Sequence, residues 1–500
     1  MNGKVVLVNP SPGYDREEYK RYDISLGTGA PFGLLLLATV LEKNGFRTRI
    51  IDGQVCDCNA ELERELVKND VSCVGVSVMS SQYKHAAELS MLAKRLRNGI
   101  PVVWGGFHPT ILPEKTISNT FIDYIIRGEG DKAFLKLCRM LGGSGRIEDV
   151  GNAVYRRDGK IVRNELEQLS SFEELPRLNW DLLDDAEKYV RKVNPLGEKT
   201  RSINILAGLG CNFQCTFCHN AIFMKRHRIR NAGDMIEEMR SLGKKYNIVE
   251  FGLVDENFFG DKGRIEDFLQ FLEKDDHHFK WSSTLRANYV TSGYLNEPML
   301  KRIYAAGGYY FGVGAESGNE FVLKKLKKGI KPENVINLAT WTRNAGIAVT
   351  YSFIVGIPGE TCQMTLDTLR FIRKIKKINP GSLIIGPQVF RPYPGSPLYQ
   401  EALQNGLKEP EDWNNAGEFF ESLSHFTRID AGSIPWHKEP EKFKYMMLSF
   451  YALQIEKTRN PVLNTGLQLL KVLSRIRLAT GLYGCFIEGA ALDLLNTRLK

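Results

Sequence analysis

Three cysteines lie close together in the segment "GLGCNFQCTFCHN", at Cys211, Cys215 and Cys218. Thiolates spaced C-x3-C-x2-C on one short loop can bind a metal ion or an iron–sulfur cluster. A structural zinc ion would need a fourth ligand, which the adjacent His219 could in principle supply. Neighbouring residues rarely converge on one tetrahedral ion, so the spacing favours a cluster. A 4Fe-4S cluster on three cysteines leaves one iron open to an external ligand.

Six predicted strands separated by helices follow each other between residues 196 and 400. Each strand ends in polar or glycine-rich residues, as in "SINILAG", "FGLVDEN", "STLRAN", "FGVGAESG", "SFIVGIPGET" and "IIGPQVFRPYPG". Alternating strands and helices predict a parallel sheet, and a partial (β/α)6 barrel is the expected form. The site of such a barrel lies at the carboxyl ends of its strands. The cysteine loop follows the first of them.

Residues 1–145 predict a doubly wound α/β domain, Rossmann-like and flavodoxin-like in type. Ligands of such sheets bind at the carboxyl ends of the strands, where five turns are candidates. These turns are Ser11 to Gly13, Asp52 to Gln54, Ser77 to Ser81, Gly105 to Pro109 and Arg127 to Asp131. The nearby "GTGAPFG" lacks the G-x-G-x-x-G spacing, so nicotinamide binding is not favoured. Residues 146–195 are expected to be a linker, and residues 401–500 mainly helical.

The composition is that of an ordinary globular chain of several domains. The protein has 500 residues, of which 43% are hydrophobic and 25% charged, with a net charge of +9. Its longest apolar run, Phe32 to Leu41, is about half the roughly 20 residues that a membrane-spanning helix needs. Nine irregularly spaced cysteines are not a disulfide framework. We therefore expect a cytoplasmic protein. Basic residues are scattered apart from residues 224–230 and 324–329, so no nucleic-acid partner is expected.

The cysteine loop resembles that of the radical S-adenosylmethionine (radical SAM) superfamily, whose spacing is C-x3-C-x-aromatic-C with Phe217 at the aromatic position. The resemblance covers residues 196–400 and implies that the amine and carboxylate of SAM bind the open iron. It also implies a set of SAM contacts, namely Phe217, Asp255, Glu256, Arg286, Glu316, Ser317 and Gly356.

Three of these contacts have an ordinary alternative, and two others depart from the family's usual sequence. Asp255 and Glu256 replace the glycine-rich segment that more commonly contacts the SAM amino group. Glu316 is expected to accept from the ribose hydroxyls, or else to cap the next helix. Arg286 would pair with the SAM carboxylate, or form a simple salt bridge. Gly356 would border the adenine, or belong to an ordinary Pro-Gly turn.

The N-terminal domain resembles the cobalamin-binding domain that precedes the barrel in one large radical SAM subfamily. In the family's D-x-H-x-x-G loop a histidine binds cobalt, whereas here Gln54 stands at that position, two residues after Asp52. The other implied cobalamin contacts are Ser77, Gly105, Gly106 and Glu129. The resemblance therefore implies cobalamin with no histidine below the cobalt. His108 is either a replacement ligand or, as we expect, a turn histidine facing solvent.

The resemblance implies a cobalamin-dependent radical SAM enzyme, most simply a C-methyltransferase that acts on an unactivated carbon through a 5′-deoxyadenosyl radical and methylcobalamin. Alternatives are an oxidative cyclase or rearrangement enzyme, similar to the anaerobic magnesium-protoporphyrin monomethyl ester cyclase, and a non-catalytic cobalamin or redox sensor. Expected partners are an electron donor such as flavodoxin or ferredoxin and a small-molecule or lipid-like substrate.

The C-terminal stretch from Gly466 to Leu495 is apolar, with Lys471, Arg475 and Arg477 interspersed. This pattern is compatible with an amphipathic helix at a membrane surface, and hence with peripheral membrane contact. The alternative is a helix that packs on the barrel.

Overall fold

The computed structural model describes residues 3–11, 29–220, 226–411, 416–417, 419, 432, 434–455, 461–483 and 488–498. Of the predicted turn at Ser11 to Gly13, only Ser11 is described. Residues 224 and 225 of the basic 224–230 segment also lie outside the described ranges. Within the described ranges, no helix combines the length and hydropathy needed to span a membrane.

The N-terminal domain is built on a seven-stranded sheet in the order β2-β1-β3-β4-β5-β6-β7. Its first five strands are parallel, and the last two form an antiparallel hairpin that extends the sheet beyond β5. The strands are β1 (Lys4–Asn9), β2 (Arg47–Asp52), β3 (Val71–Ser77), β4 (Val102–Gly105), β5 (Tyr124–Ile126), β6 (Ala153–Arg157) and β7 (Lys160–Arg163). The order 2-1-3-4-5 is that of flavodoxin-like folds, which confirms the predicted class.

Helices cover both faces of this sheet, which explains why its inner strands are continuously apolar. Helices α1 and α6 pack on one face through Leu35 and Phe134, and α2 and α3 pack on the other through Leu62 and Leu89. The helices of this domain are α1 (Phe32–Lys43), α2 (Cys58–Val67), α3 (Tyr83–Leu96), α4 (Phe107–Ile111), α5 (Pro113–Ile117) and α6 (Asp131–Leu141). The strand order reverses between β1 and β3, so a ligand crevice is expected where these strands end.

The second sheet has the order β16-β15-β14-β13-β12-β9-β8 and does not close on itself. Six of its strands are parallel and follow chain order, with only β8 antiparallel at one edge. The strands are β8 (Arg191–Val193), β9 (Lys199–Leu206), β12 (Glu250–Val254), β13 (Lys280–Thr284), β14 (Gly308–Glu316), β15 (Ala348–Val355) and β16 (Leu383–Val389). This is the predicted partial barrel with six parallel strands.

Helices flank this sheet, and a two-stranded pair follows its first parallel strand. The pair consists of β10 (Gly208–Leu209) and β11 (Arg228–Ile229). The helices are α7 (Ala232–Tyr246), α8 (Lys262–Glu273), α9 (Glu297–Ala305), α10 (Glu320–Lys325), α11 (Pro332–Ala345), α12 (Cys362–Ile378) and α13 (Pro397–Gln404). The C-terminal region adds α14 (Pro440–Ala452), α15 (Pro461–Thr480) and α16 (Gly489–Arg498).

The two faces of the second sheet carry side chains of very different size. Trp281, Phe311 and Tyr351 are fully buried in the main core, where Phe268 of α8 packs against Trp281. Residues that alternate with them are small or polar and partly accessible, namely Asn204, Gly252, Ser282, Gly312 and Ser352. Because alternate residues of a strand point to opposite faces, the small residues share the face opposite the helices. That face therefore has room for a ligand.

The connector between the two sheets is tied to both. Trp180 packs edge-on against Phe32 of α1, with ring centroids 6.2 Å apart, and its indole nitrogen donates to Glu238 of α7. Tyr189 donates a 2.8 Å hydrogen bond to Asp52 at the end of β2. These buried contacts orient the N-terminal domain against the barrel.

Candidate active site

The cysteine loop is held by the segment that follows α10. The Thr216 amide donates to the Leu326 carbonyl at 3.0 Å, and the Thr216 hydroxyl donates to the Lys325 carbonyl at 2.9 Å. Cys211 and Cys215 are buried, Cys218 is half-buried, and all three are free thiols. The loop therefore presents three thiols from an anchored backbone.

The donor set fits a 4Fe-4S cluster. Each cysteine of a cubane binds a different iron, so the thiolates need not converge on one point. Among the described residues, no three His, Cys, Asp or Glu side chains are arranged around a single metal-ion position. Burial raises the pKa of the Cys211 thiol while the nearby Arg286 charge opposes that rise, and iron binding would favour the thiolate.

Arg286 lies beside the cysteine loop. Its guanidinium stacks over the Phe213 ring at 3.4 Å from the centroid, and Nη1 is 3.9 Å from the Cys215 sulfur. Nη2 donates to the Lys328 carbonyl. The contacts described for Arg286 include no carboxylate. The alternative that Arg286 forms a simple salt bridge is therefore not supported. The guanidinium stands where a cationic group can stabilise a thiolate-bound cluster.

Glu316 ends β14 in the left-handed backbone region, with a φ of 60°, and is buried. Its carboxylate accepts a 2.7 Å hydrogen bond from the buried ammonium of Lys328. The same ammonium lies 5.8 Å from the centroid of the Phe217 ring, the aromatic residue between Cys215 and Cys218. Glu316 and Phe217 therefore both lie close to the ammonium of Lys328, a residue that the sequence did not mark as part of the site.

The helix-capping alternative for Glu316 is wrong. The N-cap of α10 is Asn319, whose side chain accepts from the amides of Phe321 and Val322. Ser317 is fully buried, and its hydroxyl shares a 2.7 Å hydrogen bond with Thr368 of α12. The Ser317 hydroxyl therefore contacts helix α12 and not the Glu316 carboxylate.

Asp255 is buried at the end of β12. It accepts hydrogen bonds from His227 at 2.8 Å and from Arg264 at 2.9 Å. Burial opposes ionisation of Asp255, but the His227 hydrogen bond and the Arg264 charge together hold its pKa below the usual value. These contacts tie the end of β12 to α8 and to the residue that precedes β11.

Glu256, the next residue, keeps an accessible side chain. Desolvation by the surrounding protein nevertheless raises the pKa of its carboxyl. Glu256 remains a candidate for contact with a bound cofactor or substrate.

Gly356 lies in the turn after β15 with a φ of 74°, a conformation that favours glycine. Its carbonyl accepts a 2.8 Å hydrogen bond from Trp436, and a Cβ there would lie 2.9 Å from the Phe443 ring. The adjacent Glu360 is buried and accepts from the Thr365 hydroxyl at 2.7 Å. The C-terminal region therefore packs directly on this turn.

The N-terminal crevice contains the glutamine that replaces the family's histidine. The backbone N–H of Gln54 donates to the Asp52 carboxylate at 3.0 Å. The side-chain nitrogen of Gln54 donates to the Gly29 carbonyl at 3.2 Å. The Asp52 carboxylate also accepts from Asn9 at the end of β1. Gln54 is thus held at the carboxyl ends of β1 and β2.

The Gly105-Gly106 turn packs closely against the residues that end β3. Gly106 has a φ of 94°, and a Cβ on it would lie 2.9 Å from the Val78 amide nitrogen and 3.3 Å from the Ser77 hydroxyl. Only glycine allows this approach of the two strand ends. Ser77, Gly105 and Gly106 therefore meet at the carboxyl ends of β3 and β4.

His108 follows this turn, and the expectation that it faces solvent is wrong. It is buried, with Nδ1 3.1 Å from the Ser80 hydroxyl and its ring 4.9 Å from that of Tyr83. Burial lowers the pKa of His108 to about 3, so the ring is neutral. The α4 segment packs against the start of α3, which the local sequence did not reveal.

The two domains meet at the cysteine loop. Phe107, which follows the Gly105-Gly106 turn, packs against His219 with ring centroids 4.2 Å apart. Glu129 pairs with the buried Arg228, and burial raises the pKa of Glu129 although Arg228 opposes the rise. The predicted cobalamin contact Glu129 is therefore engaged by the strand that follows the cluster loop.

Sequence reasoning missed three residues of this site: Lys328, His227 and Arg264. Lys328 belongs to the run "KKLKKG", which as sequence reads as a solvated basic patch. His227 follows the cysteine loop closely enough to have been a candidate. Nothing local marks Arg264 as the partner of Asp255.

Comparison with known families agrees with this site. Residues 25–137 match the B12 binding domain, and residues 205–372 match the Radical SAM superfamily. The chain is a radical SAM enzyme of the class that carries a B12-binding domain before the radical SAM domain. Its cofactors are accordingly cobalamin, a 4Fe-4S cluster and SAM, as the sequence predicted.

Two curated relatives cover most of the chain. An uncharacterized methyltransferase of Pyrococcus horikoshii is 29% identical over 407 residues, which are 80% of this chain and 84% of the relative. The anaerobic magnesium-protoporphyrin IX monomethyl ester cyclase of Rubrivivax gelatinosus is 27% identical over 449 residues, 84% of this chain and 78% of the relative.

Two solved structures share the fold. The radical SAM methyltransferase TsrM of Kitasatospora setae, with cobalamin and a [4Fe-4S] cluster bound, aligns with a TM-score of 0.64 at 19% identity over 81% of this chain and 78% of its own. The cobalamin-dependent radical enzyme OxsB, with aqua-cobalamin and SAM bound, aligns with a TM-score of 0.69 at 18% identity over 95% of this chain and 72% of its own.

Proposed function

We propose that this enzyme is a C-methyltransferase that adds a methyl group to an unactivated carbon of a small-molecule or lipid-like substrate. The observation that carries the proposal is the contact between Phe107 and His219, at 4.2 Å between ring centroids. It places the Gly105-Gly106 turn of the B12-binding domain beside the cysteine loop. A substrate carbon between the domains can then be reached from both cofactor sites.

When bound, the reduced cluster and SAM supply a radical that removes hydrogen from the substrate carbon, and methylcobalamin supplies the methyl group. The residues of this chain hold and orient these groups. Cys211, Cys215 and Cys218 would bind three irons, and Arg286 stabilises the negative charge of the thiolates. Glu316 is placed to accept hydrogen bonds from the SAM ribose, with Lys328 fixing its orientation.

The N-terminal domain contributes position and shielding. Gln54 occupies the histidine position of the family and offers cobalt only a weakly basic amide oxygen. Ser77, Gly105 and Gly106, at the carboxyl ends of β3 and β4, would contact the nucleotide tail of cobalamin. Phe107 and His219 exclude water between the two cofactor sites, which protects a radical from quenching.

The relative from Rubrivivax supports a second candidate, an oxidative cyclase or rearrangement enzyme that transfers no methyl group. Product mass distinguishes the two. Anaerobic, reconstituted enzyme is given reductant, a flavodoxin or ferredoxin as electron donor, SAM with a deuterated methyl group, and candidate substrates. A methyltransferase adds one labelled carbon to the product, whereas a cyclase adds none. Absence of SAM cleavage under these conditions would contradict both and favour a sensor.

A further inference from the structure

Helix α15 has one face packed on the protein. Leu470, Ser474 and Leu478, spaced by four residues, are buried along this inner face. Arg370 of α12 donates to the carbonyls of Leu478 and Ala479 at 2.9 and 2.8 Å. One face of α15 therefore packs on the barrel, as one of the two sequence-based alternatives predicted.

The opposite face of α15 is apolar and exposed. The exposed fraction is 65% for Leu469, 49% for Val472 and 52% for Ile476, and Ala479 is exposed on the next turn. At 100° per residue these four lie on the side opposite Leu470, Ser474 and Leu478. We call them the outer face. A surface helix normally turns polar side chains outward, so an apolar centre on its solvent side marks an interaction surface.

The charge around the outer face selects the kind of partner. Helix α15 contains no Asp or Glu and three basic residues, of which Arg477 pairs with Glu488 and Lys471 donates to the Ile455 carbonyl. Arg475 is exposed on α15 itself, beside Ile476. Two copies of the chain meeting at this surface across a two-fold axis would bring like charges together, which disfavours self-association. The charge complements an anionic surface.

We propose that the outer face of α15 docks on an anionic lipid bilayer. Leu469, Val472 and Ile476 would enter the boundary between headgroups and acyl chains while Arg475 contacts lipid phosphate, as in interfacial amphipathic helices. The helix would lie on the membrane, because the inner face remains packed on the barrel. This mode of binding is independent of the chemistry that the active site performs.

The test is co-sedimentation of the full-length, cluster-loaded protein with two kinds of vesicle, one of phosphatidylcholine and one with phosphatidylglycerol added. We expect binding to the anionic vesicles that weakens with added salt. Val472→Asp should weaken it at least about tenfold, because an apolar contact is lost and a repelled charge is added. Arg475→Gln should weaken it by about fivefold, the loss expected for one basic side chain at an anionic surface.

The matched control is Val67→Asp. Val67 ends α2 on the N-terminal domain and is 72% exposed, so the same substitution is made far from the proposed surface. This variant should bind like wild type. Equal binding by Val472→Asp, or no binding of wild type to anionic vesicles, would overturn the proposal. A dimer by light scattering that Val472→Asp dissociates would assign the outer face to a second copy instead.

Discussion

Glu316 and Lys328 form a buried ion pair in which the two charged atoms lie 2.7 Å apart, directly beside the cysteine loop. The pair sits between the end of β14 and the segment that anchors the loop, since the Lys328 carbonyl also accepts from Arg286. Under the proposed function, the SAM site and the cluster loop would therefore share one charged residue, Lys328. A change at Glu316 should affect SAM binding through both its own oxygens and Lys328.

We expect Glu316→Gln to weaken SAM binding by about 1 to 3 kcal/mol, the usual cost of losing a charge-assisted hydrogen bond in a buried site. Isothermal titration of SAM into cluster-loaded protein measures this cost. Iron content should stay at the wild-type level. The control is Glu320→Gln, an exposed residue four positions later. An unchanged SAM affinity in Glu316→Gln would show that this residue does not contact SAM.

Simultaneous replacement of Cys211, Cys215 and Cys218 by alanine should remove about four irons per chain and abolish reductive cleavage of SAM. The protein should remain folded, since the loop backbone is anchored by Thr216 rather than by the thiols. Iron analysis, the visible absorption of the cluster and 5′-deoxyadenosine formation report the result. Cys56→Ala, in the N-terminal domain, is the control. Full iron content in the triple variant would refute the assignment.

Bound cobalamin should carry no nitrogen ligand below the cobalt, and its own dimethylbenzimidazole should be displaced into the protein. Gln54 occupies the family's ligand position, and His108 is buried against Ser80 and Tyr83. Electron paramagnetic resonance of cob(II)alamin should show no nitrogen splitting. Splitting that disappears in His108→Ala would identify that residue as the ligand.

Asp255→Asn should destabilise the protein by about 3 to 5 kcal/mol, because Arg264 would keep a buried charge without its partner. Since the pKa of Asp255 is lowered in the folded state, its stabilising contribution is present above the pKa of the unfolded chain. It is lost as pH falls through the folded-state value. Urea unfolding at neutral pH measures the loss. Glu297→Gln breaks the surface pair with Lys301 and should change stability far less, because solvent screens an exposed pair.

Glu360 should make stability fall as pH rises. Burial raises its pKa to about 7, so the folded state prefers the protonated carboxyl. Burying the charged carboxyl lowers the free energy of unfolding. This loss is absent below the unfolded-state pKa and complete above about pH 7, where it amounts to about 1 to 3 kcal/mol. The melting temperature of wild type should fall relative to that of Glu360→Gln as pH rises from about 5 to 8. A constant difference between the two proteins, as expected for the exposed control Glu333→Gln, would contradict this titration.

The sequence predicted the features that depend on local patterns. Apolar strands followed by glycine or polar turns predicted the first five strands of the N-terminal sheet and the six parallel strands of the second, and the cysteine spacing predicted the cluster loop. Strands β6, β7 and β8 lie in residues 146–195, which were expected to be a linker but contribute to both sheets. The partners of Asp255 were not predictable in this way, because His227 and Arg264 reach it from two other elements. The burial of His108 likewise depends on Ser80 and Tyr83, more than 20 residues away.

The burial and the partners of charged residues were the features least predictable from the sequence. A run such as "KKLKKG" has the composition of a solvated surface, yet Lys328 within it is buried beside Glu316. Only the return of the chain after α10 toward the cysteine loop brings the two residues together. A hydrophobic pattern reports which face of an element is covered, but it does not report which buried charge will find a partner.

The hairpin of β6 and β7 has a consequence for how the chain matures on the ribosome. Until residues 153–163 emerge, β5 is the edge of the N-terminal sheet, with unpaired backbone groups that can recruit other strands. A nascent or recombinant fragment that stops at residue 145 would expose this edge and be prone to aggregation. A fragment extended through Arg163 would carry its own protective strands, and is the better unit for studying the N-terminal half in isolation.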